Sequence, residues 1–119
     1  GGFRNMIEPV AASCGVSKER IYANTLLFNA DGSFKSHLDS EPTSRAGGKA
    51  KVVADLKAQF GYKTVVMVGD GATDMEARDI PGGADAFIGF GGIAVREKVE
   101  KGADWFVLDM ADMTEQVKA

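Results

Sequence analysis

A run of apolar and β-branched residues, Thr64 to Val68, stops at Gly69-Asp70-Gly71-Ala72-Thr73-Asp74, so two carboxylates stand four positions apart just beyond a strand-like segment. A continuous apolar run of this kind predicts a strand buried on both faces of a parallel sheet. In open α/β sheets, ligands collect beyond the carboxyl ends of such strands. Asp70 leaves the strand into a glycine-flanked turn and Asp74 follows one turn later, so both can open into one pocket of hard oxygen donors. That chemistry suits Mg²⁺, which takes one or two protein carboxylates, keeps some of its waters and leaves room for a phosphate. The ordinary alternative is an Asp-Gly turn with Asp74 as a helix N-cap. The apolar run in front and the second carboxylate weigh against it. A calcium-binding EF-hand loop fails, because position six of a loop begun at Asp70 is Met75 and position twelve is Pro81. Thr73 reads equally as a capping hydroxyl or as a donor to a phosphate.

Other segments could bind anions. Gly47-Gly48-Lys49 opens a helical stretch, where free backbone N–H groups, the positive helix end and one ammonium could clamp a phosphate. Lys51 and Lys57 read as solvated surface residues. Gly1-Gly2-Phe3 opens another helix and could offer bare amides. Gly89-Phe90-Gly91-Gly92-Ile93-Ala94 has the spacing of a G-x-G-x-x-A dinucleotide fingerprint, with Asp109 twenty residues after Gly89. Too little chain follows it for the rest of a nucleotide-binding half, and a tight strand-to-helix crossover would have the same glycines. Arg96 could reach a carboxylate or phosphate, against a surface ion pair with Glu97 or Glu100. Cys14 and Trp105 are expected in the core and His37 in a loop.

These residues need elements to position them. Met6, Ile7, Val10 and Ala11 recur at helical spacing between Phe3 and Ser13, with Pro9 inside and Gly15 as a stop. Ile21 to Ala23 and Leu26 to Phe28 read as extended, and Asn29-Ala30-Asp31-Gly32 before Phe34 predicts a hairpin. His37 to Ser44 reads as a polar loop. Val52, Val53, Leu56 and Phe60 form one stripe of a helix over Lys49 to Phe60. Further strands are expected at Ala86 to Ile88 and Trp105 to Leu108, an amphipathic stretch at Val95 to Lys101, and a closing helix from about Ala111 to Lys118. Strands alternating with helices predict an α/β chain with a doubly wound, mostly parallel sheet.

Composition narrows the function. The 119 residues are 45% hydrophobic and 26% charged, the profile of a single globular domain. One cysteine and one histidine exclude a disulfide scaffold, a thiolate zinc site and a histidine cluster. A formal net charge of −3 with interspersed signs leaves no basic stripe for a nucleic-acid backbone. No membrane partner is expected either, since the apolar runs of the strand-like segments fall far short of the ~20 residues that span a bilayer.

Taken together, Gly1-Gly2-Phe3-Arg4, Tyr22-Ala23-Asn24, Glu41-Pro42-Thr43, Gly47-Gly48-Lys49, Gly69 to Ala77 and Ala84 to Gly92 resemble, in order and spacing, the phosphoserine phosphatase family of the haloacid dehalogenase superfamily, particularly its eukaryotic members. The resemblance implies a Rossmann-like core and Mg²⁺-dependent hydrolysis of a small phosphomonoester, O-phospho-L-serine, to serine and phosphate through a phosphoaspartyl intermediate, as a step of serine biosynthesis. It implies that Asp70 ligates Mg²⁺ directly and that Asp74 holds the outer sphere of the metal. Lys49 would neutralise the phosphoryl charge, Thr73 would contact the substrate near the transferred group, and Gly1, Gly2 and Arg96 would lie on the substrate side.

The family places its nucleophile and its general acid/base in an Asp-x-Asp motif on the first strand, and no Asp-x-Asp occurs in this sequence. The expectation is therefore that residues 1–119 form one partial core domain lacking the nucleophile strand and the helical cap. Such a chain supplies the metal and phosphate side, is inactive alone, and is completed by an N-terminal half or a second polypeptide beside Val65 to Val68. A non-catalytic phosphate-binding fragment and a dinucleotide-binding module are the competing readings. Family members occupy the cytoplasm or the plastid.

Overall fold

The computed structural model describes residues 2–118. The chain divides into two compact units, residues 1–48 and 49–119.

In the first unit, α1 (Arg4–Ser13) is followed by the antiparallel hairpin β1 (Leu26–Phe28) and β2 (Phe34–His37). Helix and hairpin fall where the sequence places them. Asp31 builds the hairpin turn by accepting the Ser33 N–H at 2.9 Å, and the Asn29 N–H closes it by donating to the Ser33 carbonyl at 2.8 Å. Ile21 to Ala23 differs from expectation. Ile21 and Ala23 are buried, but the segment forms no strand, and only Asn24 makes a parallel bridge, with Phe3. The apolar stripe of α1 is also largely uncovered within the described residues, with Met6 71% and Val10 64% exposed.

An ionic knot fastens this unit. Arg4 Nη2 lies 2.9 Å from Glu41 Oε1 and Arg4 Nη1 donates to the Ile21 carbonyl at 3.3 Å, while Thr25 donates its hydroxyl to Glu41 at 2.9 Å and its amide to the same carboxylate. Burial raises the Glu41 carboxyl, but the hydrogen bonds from Arg4 and Thr25 and the Arg4 charge outweigh it and hold the group below the usual range.

In the second unit, which takes α2 (Gly48–Phe60) from its second residue on, β3 (Val66–Gly69), α3 (Ala72–Asp79), β4 (Ala86–Phe90), α4 (Glu97–Gly102), β5 (Trp105–Val107) and α5 (Met110–Lys118) follow in alternation. The three strands form a parallel sheet in the order β3-β4-β5, with Val68 opposite Ile88 and Ile88 opposite Trp105. The mixed α/β class and the parallel sheet expected from the sequence are present. Met75 of α3, Phe87 of β4 and Val99 of α4 make the core, with Met67, Ala103 and Phe106 packed around them. Helix α3 is absent from the sequence expectation. Its first turn carries Asp74 and its inner face buries Met75 and Ala77.

Two further expectations need correction. Strand β3 is not buried on both faces: Met67 packs on the core, while Val66 and Val68, which alternate with it, remain 46% and 37% exposed. Among the described residues β3 pairs with β4 alone and forms the edge of the sheet. Lys57 is no solvated lysine. Its ammonium lies 2.8 Å from both the Gly83 carbonyl and Asp85 Oδ2, and that carboxylate also receives the Val65 N–H, so one cation fixes the C-terminal end of α2 to the start of β4. A similar clamp holds α3, because Arg78 donates to Asp104 at 2.7 Å and to the Gly102 carbonyl at 2.9 Å.

Candidate functional site

The Gly69–Asp74 segment sits at the carboxyl end of β3, and its two carboxylates have different environments. Asp74 is buried at the third position of α3. One of its oxygens accepts the Gly71 N–H at 3.1 Å, which satisfies a donor left open at the helix start, and the other is paired with the Lys49 ammonium. Lys49 also reaches the Thr73 hydroxyl at 3.4 Å. Lys49, Thr73 and Asp74 thus meet as one cluster, a cation held by a sequestered anion beside an exposed hydroxyl. The N-cap of α3 is Gly71, so neither Asp74 nor Thr73 fills that position.

Gly69 is what lets the carboxylate tuck in. A Cβ on Gly69 would overlap the Cβ, Cγ and Oδ2 of Asp74, so the strand end and the buried acid fit only when residue 69 has no side chain.

Asp70 is the opposite case. Its side chain is 60% exposed and its Oδ2 lies 3.1 Å from Arg96 Nη1, which also donates to the Asp70 carbonyl oxygen at 3.1 Å. The sequence reading offered Glu97 or Glu100 as the surface partner of Arg96, yet Arg96 turns to Asp70, and Glu97 pairs with Lys101. Beside Asp70 a shallow cavity of about 320 Å³ is walled by Val68, Gly69, Phe90, Ile93 and Met110. Asp70 lines this cavity and Asp74 does not, so the two carboxylates do not share one open pocket.

Asp70 fits the demands of Mg²⁺ as one hard, accessible ligand, and Asp74, already engaged on both oxygens, fits an outer-sphere place better than a direct one. Among the described residues no group of three Asp, Glu, His or Cys side chains converges to bind a metal. Any remaining ligands must be waters, substrate oxygens or groups outside these residues.

The other sequence candidates fall as follows. Gly2 belongs to the first unit, where its carbonyl accepts the Asn24 N–H at 2.9 Å, and Gly1 lies outside the described residues. The glycines of the presumptive dinucleotide fingerprint do packing work instead. Gly91 leaves room for the Phe106 ring, and the next helix, α4, starts only at Glu97. Asp109 accepts the Ala111 N–H at 2.8 Å, the task of an N-cap for α5. Cys14 is exposed rather than in the core, Trp105 is 36% exposed, and His37 ends β2 beside Asp39.

Comparison with known proteins agrees with the motif resemblance. No family model matches the chain. It is 53% identical over 107 residues to the chloroplastic phosphoserine phosphatase of Arabidopsis thaliana, covering 90% of this chain and 36% of that protein. To the phosphoserine phosphatase of Bos taurus it is 43% identical over 113 residues, covering 95% of this chain and 49% of that protein. The chain is homologous to phosphoserine phosphatases. It spans between a third and a half of the length of these curated relatives. Among solved structures, a phosphoserine phosphohydrolase-like protein of Francisella tularensis superposes with a TM-score of 0.77 at 28% identity, over 98% of this chain and 52% of that one. DsGPDH of Dunaliella salina superposes at 0.78 with 32% identity, over 98% of this chain and 19% of that one. The fold is the α/β core of the haloacid dehalogenase superfamily.

Proposed function

We propose that this chain is the metal and phosphate half of a Mg²⁺-dependent phosphomonoesterase that acts on O-phospho-L-serine and feeds serine biosynthesis. One observation carries the reading: an accessible carboxylate, Asp70, and a lysine held by a buried acid, Lys49–Asp74, both stand at the carboxyl end of a parallel strand. The likeness to phosphoserine phosphatases over nine-tenths of the chain supports it.

In this reading Asp70 contributes one ligand to Mg²⁺, which when bound would supply a positive charge to the phosphoryl oxygens. Asp74 holds the Lys49 ammonium in one place. An ammonium fixed by a buried carboxylate needs little reorganisation when negative charge develops beside it, which is the condition for electrostatic stabilisation of a transition state. The Thr73 hydroxyl, exposed and next to Lys49, is placed to donate to a phosphoryl oxygen. Gly1 and Gly2 are assigned to the substrate side by the family resemblance alone.

The nucleophilic carboxylate, on which the phosphoaspartyl intermediate forms, is drawn from outside these 119 residues, since the sequence holds no Asp-x-Asp. The edge of β3, which among the described residues pairs with β4 alone, is compatible with a further strand there, from an N-terminal half or another polypeptide. Of the two compartments, the plastid is favoured by the higher identity to the relative named chloroplastic.

The deciding experiment measures phosphate release from O-phospho-L-serine with Mg²⁺, by the chain alone and after mixing with a polypeptide carrying the N-terminal half of a relative. Activity only in the mixture, abolished by Asp70→Asn, supports the reading. Activity of the chain alone would move the nucleophile to one of its own carboxylates. A mixture that binds phosphate yet never turns over would favour a non-catalytic phosphate-binding fragment.

A further inference from the structure

We propose that Arg96 is a displaceable counter-ion for Asp70, holding the carboxylate until a divalent cation takes it over. The inference rests on Asp70 being the metal-binding carboxylate and adds a competitor for it. A single guanidinium nitrogen, Nη1, is shared between two acceptors of the same residue, the Asp70 carbonyl oxygen and Oδ2, each at 3.1 Å. It can therefore release Oδ2 to a cation and stay attached through the carbonyl, so exchange needs a small swing rather than a rearrangement.

Three features make the contact exchangeable yet specific. Both side chains are more than half exposed, at 55% and 60%, and pairs in that setting are weak. Arg96 is anchored at its backbone, where its carbonyl accepts the Val99 and Glu100 amides at 2.9 Å, so the guanidinium stays within reach of Asp70 after release. Gly71 provides the space, because a Cβ there would sit 3.3 Å from Nη1 and crowd the guanidinium against the loop. Glu97, the acid next to Arg96 in the sequence, is paired with Lys101. A divalent cation and the guanidinium repel each other when both approach Oδ2, so binding of one must weaken the other.

The test is divalent-cation binding by the 119-residue chain, with Mn²⁺ followed by the loss of its free electron-spin signal and Mg²⁺ as competitor. Arg96→Met should tighten binding about two- to five-fold, the range expected when a weak exposed pair no longer has to be broken. Lys98→Met, which removes the same charge from an exposed position two residues on, should change it less. In wild-type protein, Mg²⁺ should shift the Arg96 Nε–Hε NMR resonance, and Asp70→Asn should abolish that shift. Unchanged or weaker binding in Arg96→Met, or equal tightening in Lys98→Met, overturns the counter-ion role while Asp70 stands as ligand if Asp70→Asn still loses the metal. Binding that is unaffected by Asp70→Asn removes the metal reading itself, and the proposal with it.

Discussion

Lys49→Met should cost this protein more stability than a lysine is ordinarily worth. The Lys49 side chain is 25% exposed, but its partner Asp74 is only 9% exposed, so the substitution strands a carboxylate where water reaches it poorly. Breaking a buried pair from one side costs ~3–5 kcal/mol in general. One feature reduces that here: Asp74 keeps the Gly71 N–H at 3.1 Å. With the remaining hydrogen bond, ~2–3 kcal/mol is the expected loss. Trp105 lies in the same unit as the pair, so its fluorescence in urea is a suitable probe. At an m-value of about 2 kcal/mol/M the midpoint should fall by about 1–1.5 M. Adding Asp74→Asn to Lys49→Met should restore part of that loss, because the amide still accepts the Gly71 N–H and carries no charge. A midpoint shift below about 0.25 M, or a double variant less stable than Lys49→Met alone, would refute the claim that Asp74 is a buried acid stabilised by Lys49.

Gly69→Ala should destabilise by ~1–3 kcal/mol through overpacking, since the new methyl falls on the Asp74 carboxylate, and should lower phosphate release in the recombined enzyme; full stability and activity would show that the strand end yields freely. The acid limb of stability should be steep. The Asp85 carboxyl is held below its usual range by hydrogen bonds from Lys57 and the Val65 amide, and Asp104 by the Phe87 amide and Arg78. A folded pKa below the unfolded one gives stability that is complete above the ordinary Asp value of about 3.9 and drains as pH falls through the lowered folded value. Urea midpoints should therefore drop below about pH 4, and Asp104→Asn should flatten that drop; an identical slope in the variant would show that Asp104 contributes nothing to it.

The parts of the fold visible in the sequence are those written in local periodicity or in turn chemistry. The stripe of Val52, Val53 and Leu56 marks α2, and Asn29 to Gly32 marks the hairpin. Helix α3 escapes because its eight residues hold polar side chains at most positions, and it is stabilised by tertiary burial of Met75 and Ala77 rather than by its own pattern. The misreading of β3 has a different cause. Val66 and Val68 look like core residues, but an apolar side chain is buried only if another element covers its face, and that depends on the rest of the sheet. Lys57 is misjudged for a similar reason, as a lone lysine gives no local sign that Asp85 and the Gly83 carbonyl wait at its tip.

The candidate site is half legible. Spacing identifies Asp70 and Asp74 as a pair, yet it assigns them one pocket where the structure gives them two fates. The difference comes from a single turn of backbone. Asp70, at the end of the strand, is carried outward and pairs with Arg96, whereas Asp74 enters the first turn of α3 and folds back under Gly71 and Gly69. On the proposed reading, an acid that gives up its partner to a cation is best kept near the surface, where the pair is weak and exchange is cheap. An acid that must hold a lysine in one place is best buried, where losing the partner is costly. The two glycines that flank Asp70 permit both arrangements within six residues: Gly69 admits the buried carboxylate, and Gly71 admits the guanidinium over the exposed one. On this argument a side chain at position 69 should damage the Lys49–Asp74 cluster, and a side chain at position 71 should disturb Arg96 first.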